Sequence, residues 1–362
     1  MLHPCVERAE RFAADLGAEC PVLLAPMAGA CPVGLSVAVA QGGGMGACGA
    51  LLMQAEAISE WAAAFRAQTD GPFQLNVWIP DAAPRRDPAH EAALRAFLRN
   101  WGPEVAAEAA EDAPPDFDAQ CEALLDLAPP AISSIMGVFD APFVERMKAK
   151  GIKWFANATT VAEAKKAEAA GADVIVAKGF EGGGHSGAFN PDDAMRRAVG
   201  LLSLVPAIAD TVALPIIATG GIADGRTAAA ALMLGASAVQ IGTGYLRASE
   251  STIAPAWSDA IGKALPEDTI VTRAFSGRAG RSIATPYALA MEHTDAPEPA
   301  PYPVQRALTQ AMRAEAAKED RIDGLQAWAG QSARMAQTKS ATQVTQEIWH
   351  STRNAFGLTA SS

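Results

Sequence analysis

The stretch Val174-Ile-Val-Ala-Lys-Gly-Phe-Glu-Gly-Gly-Gly-His185-Ser-Gly187 joins an apolar run to a glycine cluster that presents one histidine. β-Branched residues that run into a glycine turn are typical of a buried strand in a parallel sheet. Consecutive glycines accept positive φ angles and let the backbone approach a ligand closely. His185 has the one side chain that ordinarily titrates near neutral pH, so it can serve as base, acid or hydrogen-bond donor. Taken alone, the stretch fits a plain βα turn with an exposed histidine equally well.

Two later stretches repeat this arrangement of a strand followed by a glycine turn. They are Leu214-Pro-Ile-Ile-Ala-Thr-Gly-Gly221 and Ser237-Ala-Val-Gln240-Ile-Gly-Thr243-Gly244, and an alanine-rich helical pattern separates them. Consecutive strand, turn and helix patterns predict βα units in a parallel sheet. In an eight-stranded barrel, the loops after the last two strands commonly hold a phosphate group through their backbone N–H groups.

The whole chain accommodates eight such units. Helical patterns lie between the strands, for example over residues 160–170 and 224–234, and the long third connection holds two more, over 91–101 and 116–127. The fold class predicted is therefore α/β, a TIM (β/α)8 barrel. Its strands are expected at residues 22–25, 46–51, 73–79, 131–136, 153–156, 173–177, 215–218 and 238–241.

The length of 362 residues exceeds that of a bare barrel, which has roughly 250. Most of the surplus follows residue 244. We expect a barrel over residues 1–245 and a smaller, mainly helical domain on the substrate side over 246–320. A C-terminal helical segment over 321–362 is expected to pack back on the barrel.

Charge and composition exclude several classes of protein. The net charge of −11 disfavours nucleic-acid binding, which needs a basic face. The sequence shows neither a signal-peptide pattern nor a run of eighteen apolar residues, which predicts a cytoplasmic protein that does not bind membranes. The five cysteines are odd in number and lack metal-type spacing, so free thiols and no metal site are expected. Cys31 and Cys48 lie beside strand ends, where they would be near a pocket.

Several motifs, in this order, resemble those of the nitronate monooxygenase family, also called 2-nitropropane dioxygenases, and in particular its class I members. The likeness runs from about residue 20 to residue 335. The motifs are Ala25-Pro-Met27-Ala-Gly29, Gly182-Gly-Gly-His185-Ser-Gly187, Ala218-Thr-Gly-Gly221-Ile222, Gln240-Ile-Gly-Thr243, Thr272-Arg-Ala-Phe-Ser-Gly-Arg278 and Trp328-Ala-Gly-Gln331.

The resemblance implies an FMN-dependent enzyme on a TIM barrel with a smaller second domain. It implies oxidation of alkyl nitronates, chiefly propionate 3-nitronate, by O2 to carbonyl compounds and nitrite or nitrate, without a metal or NAD(P)H. It is compatible with a homodimer. His185 would face the substrate as the catalytic residue. The residues that would bind FMN are Pro26, Met27, Asn76, Lys178, Gly183, Gly184, Gly220, Gly221, Gln240, Ile241, Gly242, Thr243 and Gln331.

The chain departs from the family pattern at two positions. Ile135 stands where many members carry a histidine, which removes a second titratable donor. Lys178 stands where glutamine is common. This lysine is either a solvated residue of a βα loop or a cation that lies against the flavin's pyrimidine edge or approaches its phosphate.

Two other functions remain open at this point. One is an FMN-dependent reductase that uses NAD(P)H to reduce quinones or enoyl-acyl-carrier-protein substrates, since such relatives share the barrel and the Gly-Gly-His turn. The class I-like segments from Tyr302-Pro-Val-Gln305 to Trp328–Gln331 favour the nitronate enzyme over this reductase. The other is a non-catalytic flavin-binding or phosphate-binding protein, against which His185 argues.

Overall fold

The computed structural model describes residues 3–110 and 114–358. Its strands are β1 (Val22–Leu24), β2 (Gly46–Gly49), β3 (Phe73–Trp78), β4 (Ala131–Ile135), β5 (Lys153–Ala158), β6 (Val174–Lys178), β7 (Gly184–His185), β8 (Ile216–Thr219), β9 (Ala238–Ile241), β10 (Thr269–Thr272) and β11 (Gly280–Ile283). Its helices are α1 (Pro4–Asp15), α2 (Val33–Gln41), α3 (Ala55–Arg66), α4 (Pro88–Leu98), α5 (Phe117–Leu127), α6 (Ala141–Ala149), α7 (Val161–Ala169), α8 (Asp193–Arg196), α9 (Leu201–Ala209), α10 (Gly225–Met233), α11 (Pro255–Lys263), α12 (Pro286–Ala290), α13 (Val304–Leu308), α14 (Gln310–Lys318) and α15 (Ala341–Ala355).

Eight parallel strands form the central sheet, in the order β1-β9-β8-β6-β5-β4-β3-β2. Its two outer strands meet through Met45, which precedes β2. The Leu24 N–H donates to the Met45 carbonyl (2.9 Å), and the Met45 N–H donates to the Val22 carbonyl (3.2 Å). These bonds close the sheet into a barrel. The predicted TIM barrel is confirmed, and each predicted strand lies within one or two residues of an observed one.

Alternation along each strand sends side chains to two separate cores. In β6, Val174 and Val176 belong to the cluster inside the barrel, whereas Ile175 and Ala177 pack against the surrounding helices. Phe12, on α1, joins the inner cluster and so covers the amino-terminal end of the barrel. A ligand must therefore enter at the other end, where the strands reach their carboxyl termini.

The predicted helices are present as α4, α5, α7 and α10, and the first residues of α7 show how its cap works. Thr160 accepts the Glu163 N–H at 3.2 Å, the expected N-cap bond. The Glu163 carboxylate does not complete a capping box. It accepts the Thr159 N–H (2.7 Å) and the Phe189 N–H (2.8 Å), and so ties the loop after β5 to the loop after β6.

A second, antiparallel sheet of three strands lies in the order β10-β11-β7. It pairs the loop after β6, which contains His185, with a part of the chain about ninety residues later. The segment 246–320, expected to be mainly helical, thus contributes two strands beside helices α11 to α14. The sheet escaped sequence reasoning because none of its strands exceeds four residues.

The C-terminal part of the described chain contacts the barrel. In α15, the Thr342 hydroxyl donates to the Ala38 carbonyl of α2 (2.8 Å), and Thr345 lies 2.7 Å from the Tyr245 hydroxyl. In the long third connection, Leu94 and Leu98 pack with Phe275 in a separate hydrophobic cluster. The division into domains at residues 245 and 320 stays a prediction.

Candidate active site

A deep cavity opens at the carboxyl ends of the barrel strands and collects most of the predicted site residues. Those that line it are Pro26, Met27, Asn76, Lys178, Gly183, Gly184, His185, Gly220, Gly221, Gln240, Gly242 and Thr243. They come from distant parts of the chain, because parallel strands end on the same side of the barrel.

Two predicted residues do not line this cavity. Ile241 packs in the core between the barrel and its helices, because its neighbour Gln240 takes the inward orientation in β9. Gln331 lies beside the cavity, and its N–H donates to the Glu181 carbonyl (2.9 Å). Its neighbours Gly330 and Ser332 are the residues of this segment that line the wall.

Two glycine turns present free backbone donors to one end of the cavity. Within residues 3–110 and 114–358, the N–H groups of Gly221, Ile222, Thr243 and Gly244 have no hydrogen-bond acceptor. Gly221 has a φ angle of 70°, a conformation that glycine adopts without strain. Converging unpaired N–H groups of this kind bind anions, and phosphate in particular.

The C-terminal segment holds both turns in place. The Ser332 hydroxyl donates to the Gly221 carbonyl (2.7 Å), and the Gly330 N–H donates to the Thr243 hydroxyl (3.0 Å). Sequence analysis placed this segment near the cofactor but identified Gln331 rather than its two neighbours. Small residues such as these give no chemical signal in a sequence.

His185 lies in the wall between two indole rings. Its ring centroid is 4.7 Å from that of Trp78 and 5.0 Å from that of Trp328, both edge-on. Its Nε2 lies 2.7 Å from the Ser276 hydroxyl. Burial, together with nearby Lys178 and three arginines, lowers the pKa of His185 to about 3. The imidazole is therefore neutral at physiological pH.

Lys178 ends β6 with its side chain inside the cavity wall. Its ammonium donates to the Gly183 carbonyl at 3.0 Å. Burial lowers the pKa of Lys178 to about 8, so it is mostly a cation at neutral pH. This environment differs from the solvated loop that was one interpretation of the sequence.

Arg306 and Tyr302 are cavity residues whose roles sequence analysis missed. Within the described part of the chain, the Arg306 guanidinium and the Tyr302 hydroxyl have no hydrogen-bond partner. Tyr302 packs against Trp78, with ring centroids 5.2 Å apart. Burial lowers the pKa of the Arg306 guanidinium, which nevertheless remains charged.

The cavity is electropositive although the protein is acidic. Its described lining includes the cations Lys178 and Arg306 but no aspartate or glutamate. The chain as a whole has a net charge of −11. A cleft lined by one sign of charge concentrates ligands of the opposite sign. The site thus favours anions at both its glycine turns and its aromatic wall.

The amide side chains of the barrel interior complete the wall. Asn76 donates through Nδ2 to the carbonyl (3.1 Å) and the hydroxyl (3.0 Å) of Ser133, which leaves its Oδ1 as an acceptor for a ligand. Asn157 also lines the cavity, and its buried Nδ2 has no partner among the described residues. Ile135 lies in the same wall.

The cysteines take no part in the cavity. All five are free thiols, and neither Cys31 nor Cys48 lines it. The Cys31 thiol donates to the Ala25 carbonyl and accepts the Met27 N–H, both at 3.3 Å, and burial raises its pKa to about 12. Cys31 therefore stabilises the turn after β1 through these two hydrogen bonds.

Among the described residues, no group of three His, Cys, Asp or Glu side chains is arranged to hold a metal ion. No described helix has the length and apolarity needed to cross a membrane.

Comparison with known proteins agrees with this geometry. A family model described as nitronate monooxygenase matches residues 11–351. A nitronate monooxygenase of Paraburkholderia phytofirmans is 34% identical over 340 residues, 92% of each chain. A probable nitronate monooxygenase of Staphylococcus saprophyticus is 32% identical over 330 residues, 90% of this chain and 92% of its own.

Solved structures give the same result at the level of the fold. The nitroalkane oxidase of Streptomyces ansochromogenes superposes with a TM-score of 0.85 at 32% identity, covering 95% of this chain and 98% of its own. FabK of Thermotoga maritima gives a TM-score of 0.75 at 27% identity, covering 96% and 97%.

Proposed function

The chain belongs to the nitronate monooxygenase family, flavin-dependent oxidoreductases that oxidise nitronates, and from this premise we propose its cofactor, oxidant and substrate class. The cofactor is FMN, and the oxidant is O2. The substrate is an alkyl nitronate of the propionate 3-nitronate type, converted to a carbonyl compound with release of nitrite or nitrate. The observation that supports this proposal is the cavity itself, where His185, Arg306 and the unpaired N–H groups of the two glycine turns lie in a described lining without aspartate or glutamate.

The residues present fit FMN. The four unpaired N–H groups at the two glycine turns suit one terminal phosphate. A dinucleotide would call for a Gly-x-Gly-x-x-Gly turn between a strand and a helix. The two stretches with this spacing, residues 44–49 and 182–187, run into β2 and β7 and do not begin a helix. Asn76 would hydrogen-bond FMN, Met27 would pack near its ring system, and Gln240 would lie on the phosphate side with Thr243. When bound, FMN supplies the electron acceptor for the nitronate and passes electrons on to O2.

A nitronate substrate requires hydrogen-bond donors for its oxygens rather than a general base. Its negative charge is already shared between carbon and two oxygens, so no carbon-bound proton has to be removed. Neutral His185 offers one N–H to these oxygens in a site shielded by Trp78 and Trp328. The protein thus binds and orients the anion next to the cofactor without moving a proton.

A second anionic group of the substrate finds donors at Arg306 and Tyr302. A guanidinium binds a carboxylate through two parallel hydrogen bonds, and the phenol adds a third donor. Because neither group has a hydrogen-bond partner among the residues that the structure describes, a carboxylate would satisfy them at no cost in existing bonds. This arrangement favours a nitronate that carries a carboxylate over a simple alkyl nitronate.

Oxygen uptake with two substrates tests the proposal. The FMN-loaded enzyme is expected to consume O2 with propionate 3-nitronate and with propyl 1-nitronate, with a kcat/KM about tenfold to a hundredfold higher for the former, the range for one charge-assisted pair. Arg306→Leu should abolish most of this preference, whereas Arg99→Leu, on an exposed helix end, should keep it.

The same preparation distinguishes the alternative functions. No oxygen uptake with either nitronate, together with rapid anaerobic bleaching of the flavin by NADPH, would identify a reductase. Neither response would indicate a flavin-binding protein without this chemistry. Oxygen uptake without any preference for the carboxylate would retain the reaction and refute the role of Arg306.

Lys178 is proposed to lie close enough to FMN to favour its reduced form, in which negative charge develops. Lys178→Gln is expected to lower the midpoint potential of the bound FMN, and Lys178→Met to lower it further, because glutamine still donates a hydrogen bond. The pKa of Lys178 is about 8, so its positive charge is lost as the pH rises through that value. The stabilising effect in the wild type should therefore fade above about pH 8.

Potentials measured by anaerobic dye equilibration between pH 6 and 10, on the wild type and both variants, check this prediction. Lys150→Met, at the exposed end of α6, is the control that should leave the potential and its pH dependence unchanged. Equal potentials in the wild type and Lys178→Met would show that the ammonium does not interact with the flavin.

A further inference from the structure

We infer that Ser276 is a positioning residue that holds His185 in the tautomer with its proton on Nδ1, so that the imidazole meets its ligand as a hydrogen-bond donor. The consequence for nitronates rests on the proposed function; the tautomer itself does not.

The contact between the two residues is short, and its serine partner is completely buried. Ser276 lies between β10 and β11 and is completely buried. Its Oγ is 2.7 Å from His185 Nε2. Nδ1, the other ring nitrogen, has no partner among the described residues and is the one left for a ligand.

The surroundings of the hydroxyl decide the direction of the hydrogen bond. The Arg278 N–H donates to Ser276 Oγ at 3.3 Å, so the oxygen already serves as an acceptor. Its own proton has two targets, the Arg278 carbonyl at 3.2 Å and His185 Nε2 at 2.7 Å. A distance of 2.7 Å is usual for a hydroxyl donor and short for an N–H donor, whose typical distance is about 2.9–3.0 Å. Ser276 therefore donates and Nε2 accepts.

A neutral imidazole that accepts at one nitrogen carries its proton on the other. His185 is kept neutral by burial and by the cations around it, Lys178, Arg278, Arg306 and Arg313, which together hold its pKa far below neutrality. The proton is consequently on Nδ1 throughout the physiological pH range. In this state the ring offers the cavity an N–H and no lone pair.

The segment that contains Ser276 is held on several sides, which fixes the position of its backbone. Gln305 Nε2 donates to the Ala274 carbonyl (2.7 Å), and the Thr309 hydroxyl donates to the Phe275 carbonyl (2.6 Å). The buried Arg278 guanidinium pairs with the Asp81 carboxylate.

The small antiparallel sheet fixes the other partner. His185 pairs with Gly280 across β7 and β11, and the Ser186 N–H donates to the Ala279 carbonyl (2.9 Å). The sheet thus brings a histidine and a serine separated by 91 residues into one rigid unit. The edges of Trp78 and Trp328 hold the ring orientation.

For a nitronate enzyme, this tautomer separates two kinds of substrate. A nitronate accepts the Nδ1–H bond at its oxygens. A neutral nitroalkane has to lose a carbon-bound proton first, and an Nδ1–H ring has no lone pair with which to take it. We therefore expect activity on the anion and little on the neutral compound while Ser276 is in place.

Side-chain ¹⁵N NMR of the histidine-labelled holoenzyme tests the inference directly. The His185 signals, assigned by their loss in His185→Asn, are expected to show a protonated Nδ1 and an unprotonated Nε2. Ser276→Ala should shift the signals toward the Nε2–H form or a mixture, and Ser276→Thr, which keeps the hydroxyl, should restore the wild-type pattern.

Steady-state kinetics and a control substitution at a second buried serine complete the test. Ser276→Ala should retain FMN and lower kcat/KM for the nitronate about tenfold to a hundredfold, the range for a buried polar atom left unpaired. Ser282→Ala is the control, because Ser282 is equally buried and its hydroxyl donates to the Ala327 carbonyl (2.9 Å) instead of to a histidine. It should leave the His185 signals unchanged.

A wild-type spectrum with the proton on Nε2 would overturn the inference, even if Ser276→Ala failed to fold. An unchanged spectrum in a folded Ser276→Ala protein would overturn it as well. The NMR spectrum does not depend on turnover. The inference about the tautomer can therefore fail while the enzyme still oxidises nitronates, and the tautomer can be correct in a protein that does not oxidise them.

Discussion

Replacing His185 by asparagine is expected to lower kcat/KM for a nitronate by about tenfold to ten-thousandfold, the range for one positioned acid–base or hydrogen-bonding group. The loss follows from the proposed role of His185, whose ring lies between Trp78 and Trp328 and would donate to the nitronate. The shorter asparagine side chain does not span both the Ser276 hydroxyl and the substrate. Pairing of β7 with β11 uses backbone groups only, so the fold and bound FMN should persist.

Steady-state oxygen uptake, with FMN content and circular dichroism measured on the same samples, checks this result. His293→Asn, on an exposed turn, is the matched control and should behave as the wild type. Since the pKa of His185 is about 3, the ring is neutral above that value and the wild-type profile should lack a histidine inflection near pH 6.5. Full nitronate activity in His185→Asn would show that this residue is structural.

The parts of the fold that could be predicted from the sequence are those that depend on local sequence patterns. Each barrel strand is a short apolar run beside a glycine, proline or asparagine, and its type does not depend on a distant partner. His185 and the turns at Gly221 and Gly242, which line the cavity, were predicted as site residues in the same way, because a histidine or paired glycines after a strand are visible within a few residues.

The parts that were missed depend on contacts between distant residues. Nothing within the sequence neighbourhood of Ser276 indicates that it lies against a histidine 91 positions earlier. The sequence around Arg306 is that of an ordinary helix, and only the position of α13 in the fold shows that this arginine lines the cavity. Ile241 was predicted to bind the cofactor, and its side chain packs in the core, because a motif names consecutive residues whereas a strand directs alternate ones to opposite faces.

The departures from the family pattern gain a physical meaning in the structure. Ile135 and Lys178 both line the cavity, so an apolar side chain and a cation occupy these two positions of its wall. The site therefore relies on fixed charges and on neutral donors rather than on a second histidine. This balance agrees with a substrate that arrives as an anion and needs no base.

Substitution of Gly221 by valine is expected to weaken FMN binding by about a hundredfold or more. Valine at a φ angle of 70° is strained, and its Cβ would lie 3.2 Å from that of Glu181, so the turn must shift. The shift would move the Gly221 and Ile222 N–H groups away from the phosphate. Each charge-assisted bond lost costs about 1.5–3 kcal/mol, so that two of them amount to roughly two to four decades in affinity.

Gly151→Val separates the strain from the loss of the binding site. Gly151 has nearly the same φ angle, 71°, but lies between α6 and β5 with no atom within 4 Å of an added Cβ. Both variants should lose similar thermal stability, yet Gly151→Val should copurify with its yellow cofactor and only Gly221→Val should lose it. Chromatography of the heat-released cofactor identifies it, and FMN rather than FAD is expected from the wild type. Equal FMN affinity in the two variants, or FAD in the wild type, would refute the phosphate site at these turns.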